Sequence, residues 1–207
     1  MTKPSIHILS LNGGNVTSII NALDKIGVAS TVIQEKSDLE NATHLIIPGI
    51  GHYDRAMNYL EANGLFSLLR LKIIEQQTPT LGICLGMHLL AGSSEEGKST
   101  GLGIFDVEVK ELKVSNTLRY KVPHNGWNTL IKTQDCPILS GIETNEEFFF
   151  LHKYTWDTVS PSHIYANTIY DISFPAIVGQ NNCWGVQFHP EKSHDAGLQL
   201  LKNFIQL

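Results

Sequence analysis

The sequence is short of cysteine and has no long hydrophobic run. Its 207 residues include three cysteines, Cys84, Cys136 and Cys183, which lie far apart without any Cys-x-x-Cys pair. This spacing argues against a disulfide framework or a structural zinc site and is typical of a reducing compartment. No apolar stretch approaches a membrane span, and the N-terminus has one early lysine and only a brief apolar run, unlike a signal peptide. These absences predict a cytoplasmic protein.

Basic residues are also scarce. The 15 Lys and Arg residues are outnumbered by 20 Asp and Glu residues, which gives a formal net charge of −5. A chain without a basic footprint is not expected to bind nucleic acid or an anionic membrane. No spacing of His, Cys, Asp or Glu resembles a metal site, and no cofactor is predicted.

The overall composition is typical of a soluble globular protein, with 42% hydrophobic residues and a mean hydropathy of −0.04. The chain has no linker rich in Pro, Gly or Ser and no internal repeat. At 207 residues it is large enough for one continuous core. We therefore predict a single domain over residues 1–207.

The first half of the sequence alternates strand patterns with helix patterns. Short apolar or β-branched segments predict strands at Ser5–Leu9, Ser30–Ile33, His44–Ile47 and Thr78–Leu81. Helical patterns lie at Ile19–Ile26, Asp54–Glu61, Leu65–Glu75 and Met87–Ala91. Turns are predicted at Gly13-Gly14-Asn15 and at Pro48-Gly49. This alternation predicts a parallel sheet covered on both faces, with binding sites beyond the carboxyl ends of its strands.

The second half has strand patterns with few helices between them, at Ile104–Val109, Glu147–Leu151, Ile164–Thr168 and Ala176–Val178. A last helix is predicted near the C-terminus, capped by Ser193-His194-Asp195 and carrying the apolar stripe Leu198, Leu201 and Ile205. We therefore expect an α/β fold whose mainly parallel central sheet has an antiparallel or mixed extension.

The segment Gly82-Ile83-Cys84-Leu85-Gly86 is typical of a nucleophile elbow with cysteine in the serine position. Such a turn between strand and helix needs both glycines, because side chains there would collide with neighbouring elements. It also places the sulfur at a helix N-terminus, where the macrodipole and free backbone N–H groups favour negative charge. The alternative is that Cys84 is a small buried apolar residue.

A base partner for Cys84 is predicted in the segment Phe188-His189-Pro190-Glu191. Residues i and i+2 of an extended segment project to the same side, and Pro190 biases His189 toward extended geometry. His189 and Glu191 can therefore lie together as a base and an orienting acid. The alternative for His-Pro-Glu alone is a surface turn.

Together, Pro79–Met87 and Gly185–Glu191 resemble the paired motifs of the class I (triad) glutamine amidotransferases. Four more segments resemble, within that family, the glutaminase subunits of imidazole glycerol phosphate synthase: Ile47–Gly51, Pro123–Asn128, Glu191–Ser193 and Ala196–Phe204. The resemblance runs from about Ile6 to the C-terminus. It implies a flavodoxin-like three-layer fold and the hydrolysis of L-glutamine to glutamate and ammonia for histidine biosynthesis.

Glutamine hydrolysis is acyl transfer, and it assigns a role to each residue of the triad. Cys84 would attack the side-chain amide carbon, His189 would serve first as acid and then as base, and Glu191 would orient His189. The backbone N–H of Leu85 would hold the oxyanion. The resemblance implies a second donor in Gly49-Ile50-Gly51, a segment that also suits a turn ending a strand.

Several positions depart from the family pattern. Position 88 is usually a glutamine that helps to hold the substrate, whereas here it is His88, which can still donate one hydrogen bond. His152-Lys153-Tyr154 replaces a His-Ser/Thr-Tyr segment and places a cation near the expected glutamine carboxylate. We therefore expect His88, Lys153 and Tyr154 to bind glutamine. Leu11-Asn12-Gly13 stands where Asp-Tyr-Gly is common, and Asn125 stands where Met is usual.

Ammonia released into neutral water is mostly protonated, so an acceptor enzyme is expected to dock over the site. In the family this partner is a (β/α)₈-barrel cyclase subunit of the HisF type, forming a heterodimer. The resemblance implies an interface that includes Asn15, Trp127 and Lys192. The alternatives are that Trp127 is a core aromatic residue and that Lys192 is a solvated charge.

Two other functions remain open from the sequence. Similar subunits supply ammonia for amidating sugars in surface-polysaccharide pathways, and the substitutions around the rim of the site motivate that reading. A non-catalytic binding protein or a cysteine stress protein of similar fold is a third reading, against which the intact Cys84, His189 and Glu191 argue.

Overall fold

The computed structural model describes residues 4–11, 16–157 and 159–207. Its strands are β1 (Ile6–Leu9), β2 (Ser30–Ile33), β3 (His44–Gly49), β4 (Thr80–Cys84), β5 (Ser93–Ser94), β6 (Glu108–Glu111), β7 (His124–Thr129), β8 (Ile131–Lys132), β9 (Glu147–His152), β10 (Tyr154–Trp156), β11 (Ile164–Tyr170), β12 (Ile172–Gln180) and β13 (Cys183–Val186). Its α-helices are α1 (Val16–Lys25), α2 (Lys36–Glu40), α3 (Tyr53–Ala62), α4 (Phe66–Arg70), α5 (Leu85–Leu89) and α6 (His194–Ile205). A π-helical turn at Leu71–Glu75 continues α4, and 3₁₀ turns lie at Pro137–Leu139, Pro161–His163 and Pro190–Lys192.

An eight-stranded sheet with the order β2-β1-β3-β4-β13-β12-β11-β8 forms the middle of the molecule. The strands from β2 to β13 in this order pair in parallel. The strands from β13 to β8 pair antiparallel. The predicted mainly parallel sheet with an antiparallel extension is therefore confirmed. Two smaller sheets, β10-β6-β5 and β7-β9, lie beside it.

Helices cover both faces of the large sheet. On one face, Ile19 and Leu23 of α1 and Phe204 of α6 join one buried apolar cluster. On the other face, Met57 of α3 and Leu69 of α4 join a second cluster. The sheet is thus the central layer of three. None of the helices in the described ranges has the length and apolar character needed to span a membrane.

Leu45, Ile46 and Ile47 of β3 show why the middle of a central parallel strand is apolar on both faces. Leu45 and Ile47 belong to one buried cluster and Ile46 belongs to the other. Because successive side chains of a strand point to opposite faces and helices cover both, each residue is removed from water. The short apolar runs in the first half of the sequence therefore predicted the strands well.

The end of β3 differs from the prediction. Pro48-Gly49 was expected to end this strand, but Pro48 pairs with Ile83 and Gly49 pairs with Cys84. Strand β4 begins at Thr80, two residues after the predicted start at Thr78, and extends to Cys84, three residues beyond the predicted end at Leu81. The two strands therefore reach the same edge of the sheet together. The turn predicted at Gly13-Gly14-Asn15 lies outside the described residues.

The strand predicted at Ile104–Val109 is wrong over most of its length, since β6 begins only at Glu108. The backbone N–H groups of Ile104 and Phe105 both donate to the carbonyl oxygen of Leu90, just after α5. Unpaired carbonyl groups at a helix end need donors. This segment supplies them and so does not join a strand ladder.

Ser193 occupies the predicted N-cap position of α6, but its side chain does not cap the helix. Its hydroxyl donates to the carbonyl oxygen of His189 at 2.6 Å and accepts from the backbone N–H of Phe149 at 3.0 Å. Ser193 thus ties the segment after β13 to β9.

Gly86 permits a close approach between α5 and β3. A Cβ atom at this position would lie 1.6 Å from the carbonyl oxygen of Ile47. A Cβ atom at Gly82 would lie 2.7 Å from the carbonyl oxygen of Gly86. Both obstacles are backbone atoms, which cannot move aside as a flexible side chain could. The predicted need for two glycines around Cys84 is confirmed.

We predict that Gly86→Ala lowers the free energy of unfolding by about 3 kcal/mol, because the methyl group forces β3 and α5 apart. Urea denaturation would measure this change. Gly92→Ala is a suitable control, since the nearest atom to its added Cβ lies 3.6 Å away, an ordinary van der Waals contact, and its backbone is outside the left-handed region. Equal losses in the two variants would contradict the packing argument.

Candidate active site

Cys84 is the last residue of β4 and the N-cap of α5, with φ 53° and ψ −108°. A positive φ is rare for a residue with a side chain and costs about 1–3 kcal/mol. The thiol contacts the carbonyl oxygen of Leu151 at 3.7 Å. The elbow conformation predicted for this segment is therefore present, and it holds the sulfur at the carboxyl end of the sheet.

His189 and Glu191 lie together, as their spacing predicted. The ring Nδ1 of His189 is 2.9 Å from Oε1 of Glu191, and each side chain is only 2% exposed. His189 has extended backbone angles, φ −103° and ψ 95°, immediately before Pro190. A carboxylate accepts hydrogen bonds, so Nδ1 carries a proton and Nε2 is left free to act on another group.

The electrostatics of His189 depend on its two neighbours. Burial by itself would lower the pKa of His189, but Cys84 and the Glu191 carboxylate outweigh burial and raise it to about 9. Its Nε2 is buried without a hydrogen-bond partner among the described residues. The Cys84 sulfur is nevertheless near enough to act on this pKa. His189 is therefore a cation at neutral pH and can stabilise a negative charge beside it.

A cavity of about 230 Å³ lies over Cys84 at the carboxyl ends of the strands. It is smaller than the roughly 300–1,000 Å³ of pockets for drug-sized ligands and suits a small metabolite. Its lining residues come from several elements: Ile50, Gly51, Cys84, Leu85, His88, Glu96, Leu151, His152, Lys153 and Tyr154.

A larger open depression of about 610 Å³ lies between α1 and α6 and includes Glu191 and Lys192. Cys84 does not line it, so we assign the candidate active site to the smaller cavity.

The segment predicted to supply the second oxyanion donor borders the cavity through Ile50 and Gly51. Gly51 has φ +107°, a conformation that residues with a side chain rarely adopt. A Cβ atom at Gly49 would lie 2.8 Å from Cβ of Leu85, so β3 and the start of α5 are in close contact here too. The structure thus brings Gly49, Ile50, Gly51 and Leu85 together beside Cys84.

His88 lines the cavity, but one of its ring nitrogens is already engaged. Its Nε2 lies 2.9 Å from Oε1 of Gln187. Burial lowers the pKa of His88 to about 4, and the hydrogen bond to Gln187 opposes this only in part. His88 is therefore neutral at pH 7, with its Nε2 directed at a protein amide.

Lys153 and Tyr154 lie at the rim of the cavity. The ammonium group of Lys153 is 3.0 Å from Oε1 of Glu111, and that hydrogen bond raises the pKa of Lys153. The same group lies 5.5 Å from the centre of the Tyr154 ring. The cation expected near a substrate carboxylate is thus present as Lys153, which already forms an ion pair with Glu111.

Trp127 is not a core residue, since it is 42% exposed. Its ring stacks on His194 with centroids 4.8 Å apart and meets the edge of Phe149 at 5.7 Å. The ammonium group of Lys192 lies 5.6 Å from the centre of the Phe149 ring. Trp127 and Lys192 therefore share one surface, whereas Asn15 lies outside the described residues.

Glu96 and Gln187 are polar residues of the site that were not predicted from the sequence. Glu96 lines the cavity from the segment after β5, a position that no local pattern indicates. Gln187 is fully buried, and its side-chain nitrogen lies 4.0 Å from the Cys84 sulfur. Gln187 precedes His189 by two residues, so the spacing argument that paired His189 with Glu191 could have identified it.

The chain is similar to known proteins over nearly its whole length. The family model described as glutamine amidotransferase class-I matches residues 8–207. The imidazole glycerol phosphate synthase subunit HisH 2 of Methanococcus maripaludis is 40% identical, over 97% of this chain and 98% of that protein. HisH 2 of Pseudomonas aeruginosa is 37% identical, over 98% and 99% of the two chains. HisH of Bdellovibrio bacteriovorus is 36% identical, over 98% and 100%.

Solved structures share the fold at lower identity. A crystal structure of a glutamine amidotransferase has a TM-score of 0.75 and 20% identity, covering 96% of this chain and 98% of that one. PurLQS from Thermotoga maritima also has a TM-score of 0.75, with 17% identity and 99% of each chain covered. At these identities the likeness concerns the three-layer architecture alone.

We predict that Glu191→Gln lowers the pKa of His189 from about 9 toward 6.5, because the variant loses the negative charge beside Nδ1. Because the pKa is raised in the folded state, protonated His189 adds to the free energy of unfolding. This contribution is complete below pH 6.5 and disappears as the pH rises through about 9. The stability difference between the two proteins should follow the same course.

NMR titration of ¹³C-labelled histidine rings would measure this pKa. Asp195→Asn removes an exposed acid from the same part of the chain and should leave the pKa of His189 unchanged. An unchanged His189 titration in Glu191→Gln would contradict the assigned interaction.

Proposed function

The chain belongs to the class I glutamine amidotransferase family, and on that premise we propose that it is the glutaminase subunit of an imidazole glycerol phosphate synthase. In this role it hydrolyses L-glutamine to glutamate and passes the ammonia to a HisF-type cyclase subunit in histidine biosynthesis. The observation that carries the proposal is the Cys84 elbow beneath a small cavity, with the buried pair of His189 and Glu191 beside it.

The reaction proceeds through a thioester on Cys84. The sulfur attacks the side-chain amide carbon of glutamine, and the C–N bond breaks as His189 transfers a proton to the departing ammonia. Water then attacks the thioester while His189 accepts its proton, and the C–S bond breaks, which releases glutamate and frees the sulfur. Glu191 holds the ring of His189 in the tautomer that presents Nε2 to the reacting atoms.

The tetrahedral intermediates carry a negative oxygen that needs hydrogen-bond donors. The backbone N–H of Leu85 is one donor, because it follows the nucleophile at the start of α5. A peptide of Gly49-Ile50-Gly51 supplies the other, and the positive φ of Gly51 allows the backbone there to turn. Loss of one such donor costs about 3 kcal/mol of transition-state stabilisation.

Charged groups around the cavity suit the α-amino and α-carboxyl groups of glutamine. Glu96 is the carboxylate among the lining residues and is positioned for the ammonium group. Lys153, with Tyr154 beside it, is positioned for the carboxylate, in exchange for or in addition to its pairing with Glu111. His88 forms part of the wall. These assignments make the cavity specific for a free amino acid.

An apolar strip, Trp127, Phe149 and Leu151, runs from the cavity along the exposed face of β7 and β9. Trp127 pairs with Phe149 across the two strands, and Leu151 follows on the same face two residues later. Leu151 also lines the cavity. We assign this strip, with Lys192 and Asn15, to the cyclase interface, because a partner seated there covers the exit through which ammonia leaves.

We further propose that residues 1–207 act as one domain in the cytoplasm. Supply of ammonia for sugar amidation is not favoured by the relatives reported above, all of which carry the HisH name.

The proposal is tested by mixing the purified chain with the cyclase subunit from its own genome and measuring glutamate release. We predict strong stimulation by the cyclase together with its ring-closing substrate, and complete loss of release in Cys84→Ala. The cyclase must be shown beforehand to be active with free ammonia. No stimulation by such a cyclase would reject the histidine pathway and point to sugar amidation, while undiminished release by Cys84→Ala would reject the mechanism.

We predict that Trp127→Ala weakens binding to the cyclase by about 30-fold, since large aromatic residues at interface centres contribute about 2 kcal/mol or more. Isothermal titration calorimetry would measure the affinity. Ile74→Ala removes a similarly exposed apolar side chain from the π-helical turn after α4 and should leave the affinity unchanged. Equal affinities for the two variants would exclude the strip from the interface.

A further inference from the structure

We propose that Gln187 is a further residue of the catalytic site: its side-chain amide donates a hydrogen bond to the Cys84 sulfur, and His88 fixes the amide in the orientation that permits this. The inference rests on the proposed role of Cys84 as nucleophile. It gives a function to two buried polar side chains that neither the triad nor the oxyanion donors include.

Gln187 is held rigidly beside the sulfur. It follows β13, it is fully buried, and its backbone N–H donates to the carbonyl oxygen of Ala176 at 3.0 Å. Its side chain has one contact at each end. Nε2 lies 4.0 Å from the Cys84 sulfur, a long hydrogen bond even for sulfur, and Oε1 lies 2.9 Å from Nε2 of His88.

The two contacts agree on one orientation of the amide. When Nε2–H of His88 donates to Oε1, the NH₂ group of Gln187 faces the sulfur. Both contacts then join a donor to an acceptor. The reversed amide would place its carbonyl oxygen against the sulfur lone pairs, where the repulsion grows as negative charge develops. His88 therefore acts through Gln187 and is a positioning residue.

Burial keeps His88 neutral at pH 7, since it lowers the pKa of the ring to about 4. His88 thus provides a fixed donor and adds no positive charge. Gln187 does not titrate, so its N–H donor remains while His189 gains and loses its proton. The titratable groups that line the same cavity from other elements are Glu96, His152, Lys153 and Tyr154. His189, which is paired with Glu191, is near enough to the Cys84 sulfur for each to affect the other.

The consequence is a sulfur that two separate groups stabilise as it gains negative charge. His189 provides a cation that can also transfer a proton. Gln187 provides a neutral N–H donor that stays in place when His189 has given its proton to ammonia. A hydrogen bond to a charged group is typically stronger than one between neutral groups, and such stabilisation should appear directly in the reactivity of the sulfur.

The test is the rate of Cys84 alkylation by iodoacetamide as a function of pH, followed by peptide mapping. This reaction requires neither glutamine nor the cyclase. Cys136 serves as an internal reference, because burial raises the pKa of its thiol to about 11. We expect Gln187→Leu to alkylate about tenfold more slowly at pH 7, with a profile displaced to higher pH.

Variants of His88 test the positioning role. His88→Gln restores an amide that can donate to Oε1 of Gln187, so its alkylation profile should stay close to that of the parent protein. His88→Leu removes the donor and should slow alkylation by a smaller factor than Gln187→Leu. If His88→Gln slowed alkylation as much as His88→Leu does, the role of His88 would be rejected.

Asn203→Leu is the matched control, since it removes another buried amide, one that bonds to the carbonyl oxygens of Ile138 and Ser140. It should lower the melting temperature without moving the alkylation profile. Should Gln187→Leu be too unstable to purify, Gln187→Glu keeps the side-chain shape and replaces the donor with an oxygen, and it should also alkylate slowly.

An alkylation profile of folded Gln187→Leu that matches the parent protein would overturn the inference. Failure of the proposed function would give a different result. The variants would slow alkylation as expected, but the complex of the parent protein with the cyclase would release no glutamate.

Discussion

The close approach of α5 to β3 is the constraint on which the site depends. The carbonyl oxygen of Ile47 occupies the space that a side chain at Gly86 would fill. This contact lets the chain turn from strand to helix within one residue, at Cys84, and raises the sulfur beyond the edge of the sheet. The strained backbone of Cys84 is held in place because Met87 and Leu89 are completely buried on the far side of the turn.

Beside this elbow, four polar side chains are buried as two hydrogen-bonded pairs. The His189 and Glu191 side chains would be costly to bury singly, but together they form an ion pair within hydrogen-bond distance. Beside the same sulfur, His88 and Gln187 form a neutral pair. The His189–Glu191 pair can transfer a proton, whereas the His88–Gln187 pair does not. The site therefore combines an acid and base with a hydrogen-bond donor that keeps its proton.

Local geometry explains which parts of this arrangement could be predicted from the sequence. The two glycines around Cys84 and the i, i+2 spacing of His189 and Glu191 depend on a few adjacent residues, and both predictions were confirmed as geometry. The pairing of Lys153 with Glu111 and the approach of Glu96 depend on segments brought together by the fold. The error at Ile104–Val109 has the same origin, since carbonyl groups after α5 compete for N–H donors that a strand would use.

The central claim is that Cys84 forms a thioester with the glutamyl group of its substrate. The most direct measurement is acid quenching of the Cys84-containing protein during turnover with isotope-labelled glutamine, in complex with the cyclase, followed by mass spectrometry of the peptides. The account predicts a labelled glutamyl adduct on Cys84 alone, accumulating as a burst before steady-state release. Turnover without any adduct on Cys84, or with the label on Cys136 or Cys183, would contradict it.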